Sequence, residues 1–128
     1  MSALSDAAET LLANFIANTQ AATRPTAWFL ALFTAAPNDA GGGTEISTGG
    51  YARQAITFGA AVSGVVSNTS THTFTATGAS WGTVTHYGIF SASSAGTLYW
   101  HGPLGTSRTI ADGESLTVAA AAFTLTLA

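Results

Sequence analysis

The chain has 128 residues, of which only 7% are charged, with a formal net charge of −3, three arginines, no lysine and no cysteine. That length makes one domain able to bury a single core without staples. The absence of cysteine removes disulfides, thiol catalysis and cysteine-ligated metals together. With no basic cluster, binding to nucleic acid is not expected, because it requires cations that neutralise phosphates.

Leu4, Ala8, Leu11, Leu12, Phe15 and Ile16 recur at helical spacing and predict one amphipathic helix from about Ser5 to Asn18. Ser2 or Ser5 can cap it, and Asp6 and Glu9 lie near the positive end of its dipole. After Arg24-Pro25 the pattern changes. Ala27 to Phe33 is an unbroken apolar run, too short and too aromatic for an independent helix, so it reads as a strand buried on both faces. The N-terminal helix is expected to cover its upper face. Ala36-Pro37-Asn38-Asp39 is turn chemistry.

A glycine-rich loop follows, with Gly41, Gly42 and Gly43 and then Gly49 and Gly50. It feeds a strand that alternates Ala52, Gln54, Ile56 and Phe58 on one face with Tyr51, Arg53, Ala55 and Thr57 on the other. Further short strands are predicted at Thr71 to Thr77, Thr83 to Phe90, Thr97 to Trp100, Ser107 to Ala111, Glu114 to Val118 and Phe123 to Leu127. In the first of these, His72, Phe74 and Ala76 share a face. In the second, Val84, His86 and Phe90 do. Asp112-Gly113 is a two-residue hairpin signal. The expected architecture is mainly β: a compact antiparallel β-sandwich, jelly-roll-like, over residues 26–128, preceded by one helix and its linker over residues 1–22.

No secretory segment is evident, and the longest apolar runs fall far short of the ~20 residues that span a bilayer. A soluble protein made in a cytoplasm, without membrane or nucleic-acid partners, is the expectation. The low charge is replaced by Thr, Ser, Ala and Gly. Such an exterior suits an ordinary Thr-rich β domain, or a surface covered by neighbouring subunits.

The chain offers little for catalysis. His72, His86 and His101 fall in different predicted strands or turns, without the spacing of a metal-ligand pair, and read as core or boundary histidines. Asp39 and Glu45 flank a glycine loop, poor ground for holding two carboxyls at the ~5–9 Å of a glycosidase pair. Asp112 and Glu114 bracket a turn. No hydroxyl is singled out as a nucleophile, and Gly41-Gly42-Gly43 lacks the lysine and helix of a phosphate-binding loop. No enzyme, metal or cofactor is expected. Trp81, Trp100, Tyr87 and Tyr99 could stack on sugar, but Trp81 and Trp100 read better as core fillers, each burying well over ~150 Å².

Tyr51 and Arg53, beside Glu45 at the loop-to-strand junction, are the candidate interface residues. They fit two roles: shielding apolar surface at a strand edge, or anchoring a protein contact, where Tyr and Arg are enriched.

The run WFLALFTAAPNDAGGGTEISTGGYARQAITF, from Trp28 to Phe58, resembles a family of small tailed-bacteriophage virion proteins. Its members are labelled tail-fibre, head-fibre or capsid decoration proteins. WGTVTHYGIF, GTLYWHGPL and ADGESLTVAAAAFTLTL follow in the order that family shows; Ser91 stands where an acidic residue is common. The resemblance implies a virion structural protein, first a decoration (cement) protein on the outer surface of the major capsid protein shell. The alternative is a tail-fibre or receptor-binding module. A fibre shaft needs repeats or heptads, and the chain has neither. Self-association as a homotrimer follows from the three-fold positions of a capsid.

Overall fold

The computed structural model describes residues 3–18 and 21–126. Helix α1 spans Asp6–Ala17, with Asp6 and Glu9 in its first turn. Ser5 is the cap: its Oγ accepts from the Ala8 N–H at 3.3 Å. The same hydroxyl donates to the Leu98 carbonyl at 2.5 Å, which explains why this serine is buried. Ser2, the other candidate cap, lies outside the described residues. Just ahead of the helix, a two-residue strand β1 (Ala3–Leu4) pairs with Trp100 and His101. Two residues carry no periodicity, so the sequence did not announce it.

The main sheet is antiparallel. Its strands are β1, β2 (Trp28–Ala35), β3 (Thr44–Glu45), β4 (Gln54–Ile56), β7 (Gly82–Phe90) and β8 (Leu98–Ile110), in the order β1-β8-β7-β2-β3. Strand β4 also pairs with β2, beside β3 on the same edge. A second layer consists of two antiparallel ribbons. One joins β5 (Val65–Ser67) to β10 (Thr124–Thr126), the other β6 (His72–Thr75) to β9 (Ser115–Val118). Leu30, Leu32, Ile89 and Trp100 of the sheet close on Phe74, Leu116, Val118 and Phe123 of the second layer. The Tyr87 and Phe123 rings stack across the gap at 4.0 Å between centroids. The protein is thus a mainly β, antiparallel sandwich with one helix, as its alternation and turn spacing implied.

Several local expectations change. The run from Leu30 to Phe33 is buried on both faces, yet α1 packs chiefly on β8 and β1 rather than over β2. The strands expected at Thr97–Trp100 and Ser107–Ala111 are one strand, β8. Its register slips where Val84 pairs with Arg108 but His86 pairs with Pro103, so the surplus residues of β8 bulge out around the Pro103-Leu104-Gly105 stretch. That irregularity also moves the core face of β7. Val84 points into the core, and so do Tyr87 and Ile89, so His86 and Phe90 do not share Val84's face. Asp112-Gly113 does form a turn, closed by Glu114 N–H to Ala111 O at 3.0 Å. It is not a hairpin, since β9 pairs with β6 and the turn carries the chain from the main sheet to the second layer. Strands β3 and β5 were not expected from the sequence.

Candidate functional site

Strand β2 has an outer edge that neither neighbour covers fully. Strand β3 pairs at Phe33 and Ala35, and β4 pairs at Trp28 to Leu30. Between them the Leu32 N–H would be an unpaired edge donor. The Tyr51 hydroxyl fills that place, accepting from Leu32 N at 2.9 Å while donating to Glu45 Oε1 at 2.8 Å. Burial pushes the Tyr51 phenol far above its ordinary range, and the adjacent Glu45 carboxylate adds to the shift.

Arg53 completes the cluster from the other face of the sheet. Its Nε and Nη2 each meet a Glu45 oxygen at 2.7 Å, a bidentate pair. Its Nη1 donates to the Ala92 and Ala95 carbonyls at 3.0 and 2.6 Å. The guanidinium carbon lies 3.7 Å above the centre of the Phe90 ring. Phe90 in turn stacks on Phe33, and both pack on the position of Gly88. A Cβ at Gly88 would come within 2.9 Å of Leu98 Cδ1 and 3.0 Å of Phe33 Cε2. The residues singled out in the sequence are therefore one network, and the Arg53 side chain is only 8% exposed.

The loop between β3 and β4 is held as well. Gly49 sits at φ +61, and its carbonyl accepts from Trp81 Nε1 at 3.1 Å and Thr77 N at 2.8 Å. A Cβ there would lie 2.4 Å from the Ala79 carbonyl, so only glycine fits.

Where α1 packs at the end of the sheet the surface differs in kind. An open apolar groove of about 430 Å³ runs between α1 and the aromatic end of the sheet, walled by Leu11, Leu12, Trp28, Phe58, Tyr99 and Trp100. Beyond it, Phe15 and Ile16 of α1 are 75% and 79% exposed.

The family described as Podophage GP4 fiber I protein gp80 matches residues 3–126. The chain belongs to that family. No curated protein matches the sequence. Membership makes the molecule a structural component of a phage virion.

For a fibre-family protein the remaining polar groups are informative by their placement. His101 Nε2 lies 3.1 Å from Asp39 Oδ1, and His86 Nδ1 bonds Thr85 Oγ1 at 2.8 Å. His72 is half-buried, with its Nε2 unpartnered among the described residues. No three His, Asp or Glu side chains of the described residues converge as a metal site. Asp39 and Glu45 are engaged with different partners, His101 and Arg53. Trp81, Trp100 and Tyr87 belong to the core. Among the described residues no helix is long and apolar enough to cross a membrane.

Sequence reasoning found Glu45, Tyr51 and Arg53 but not their setting. The Ala92 and Ala95 carbonyls, the Phe90 ring and the Leu32 N–H come from distant segments, and nothing local marks them. The groove was missed too, although Phe15 and Ile16 extend the helical stripe. That extension past the covered turns was the available signal.

Proposed function

We propose that the chain is a non-catalytic, compact module of a virion fibre assembly, attached to other virion proteins and to copies of itself through low-charge surface. The observation that carries the fibre reading is the family match over nearly the whole chain. A sandwich with no repeats and no coiled-coil heptads cannot itself be a shaft. Within a fibre it would serve as an attaching or terminal node. Attachment would rest on many small apolar and backbone contacts repeated over several copies, so that avidity replaces any single strong contact. Such contacts change little with salt. Neither nucleic acid nor membrane is a proposed partner: Arg53 is consumed internally, which leaves Arg24 and Arg108 as scattered cations.

A second reading, a decoration protein on the outer surface of the major capsid protein shell, is favoured by the same lack of a shaft. In that case the loop from Gly41 to Arg53 is the proposed capsid contact, with homotrimers at three-fold positions. The clamp of Glu45, Tyr51 and Arg53 would then shape that contact from beneath.

Electron microscopy of virions carrying a labelled copy tests both. Label confined to discrete appendages supports the fibre module. Label spread over the head lattice replaces it with the cement reading.

A further inference from the structure

Helix α1 carries one apolar stripe with two fates. Ala8 is buried, Leu11 and Leu12 are half-buried against the groove, and Phe15 and Ile16, one turn further on, are 75% and 79% exposed. The segment from Thr10 to Ala17 contains no charged residue. Its last turn contains no basic residue, so the negative pole of the helix and its final carbonyls are not offset from within it.

The groove beside it carries the complementary features. It is apolar, open, and large enough at about 430 Å³ for bulky side chains. Arg24 is among its lining residues and is exposed. Trp100, also in its wall, has a buried indole N–H with no acceptor among the described residues. An occupant that brings two large apolar side chains at the negative pole of a helix would suit both the walls and the Arg24 cation.

We propose that this occupant is the Phe15–Ile16 end of α1 from a second copy of the chain. The exposed knob of one copy seats in the groove of the next, with Arg24 facing the carbonyl end of the incoming helix. Because knob and groove are different surfaces, the contact is heterologous and closes into a ring when the rotation between copies permits. This locates the self-association named above and rests on that part of the reading alone. Imaging of virion position and solution association therefore fail separately.

The test is sedimentation of the full chain at concentrations up to about 100 μM, beside Phe15→Asp/Ile16→Asp and Arg24→Glu variants. The parent should associate. The double variant should associate roughly thirtyfold more weakly or not at all, with only a small fall in the melting transition, since both side chains are already in water and the added charges act only on the exposed helix end. Arg24→Glu, which places a like charge at the negative pole, should weaken association by roughly tenfold. Near-parental association of the double variant overturns the proposal, and so does a parent that stays monomeric throughout the range. Loss of attachment to virions by the double variant, with a monomeric parent, would assign the groove to a different virion protein and likewise overturn it.

Discussion

The two edges of the main sheet solve the problem of an exposed flank in opposite ways. At the β2 edge the directional groups are paired within the chain: Leu32 N–H by Tyr51, and the guanidinium of Arg53 by one carboxylate, two carbonyls and the Phe90 face. On the β8 side, β1 and α1 cover the strand only in part, leaving an uncovered helix turn and an apolar groove that reaches across to Trp28 and Phe58. Directional bonds complete one edge from within the chain. Non-directional apolar surface leaves the other open to a partner, since burial of such surface gains wherever a complementary surface is found. The contrast implies that substitutions in the clamp act on folding, while those of the exposed apolar surface beside α1 act on association.

The strongest test of that contrast is Arg53→Ala. It leaves the Glu45 carboxylate without its cation and two carbonyls without a donor, an expected loss of about 3 kcal/mol, towards the lower end for broken buried pairs because Glu45 is partly exposed. Thermal denaturation should show a fall of about 10 °C for a chain of this size. An unchanged melting temperature would remove the folding role of the clamp. Gly88→Ala addresses the aromatic floor beneath it. The added methyl has no room between Leu98 and Phe33, and a loss of about 2 kcal/mol is expected by denaturant titration.

At the other edge, Ser5→Ala removes both the cap and the tie to the Leu98 carbonyl, with an expected loss of about 1.5 kcal/mol. Helical circular dichroism should fade ahead of the strand signal, which would identify α1 as the less firmly held element. Smaller still is the response to alkali. The phenol of Tyr51 is held neutral in the folded state, whereas in the unfolded chain it ionises near pH 10. The unfolded state then binds fewer protons than the folded one, so stability is full below about pH 10 and declines above it, on the order of 1 kcal/mol by pH 11. Titration of stability against pH should show this slope, and Tyr51→Phe should reduce it. Equal slopes would place the alkaline sensitivity elsewhere.

Much of this molecule was legible in local pattern. The helix follows from its stripe and cap, the buried β2 from seven consecutive apolar residues, β6 and β9 from strict alternation, and the solvated outer face from threonine. That face is realised as cross-strand hydroxyl pairs such as Thr73–Thr117 at 3.2 Å and Thr83–Thr109 at 2.9 Å. Glu45, Tyr51 and Arg53 stood out because charge is scarce and the three flank one loop. Their convergence was not legible, because a bidentate pair eight residues apart depends on how the intervening loop folds back.

What the sequence by itself determined, then, is element type and which residues are apolar, since both arise from interactions within a few residues of each other. What only the tertiary structure decided is pairing and facing. The bulge opposite Thr85 turned Tyr87 and Ile89 inward in place of His86, and the Asp112-Gly113 turn sent β9 to β6 instead of back along β8. Asn68 shows the same dependence on distance. It is buried and fully bonded, donating to the Ser70 and Ala119 carbonyls and accepting from the Phe123 N–H. Those partners lie up to 55 residues away in sequence. Their meeting is fixed by which sheet faces pack together, and packing of that kind is settled only when the whole core closes.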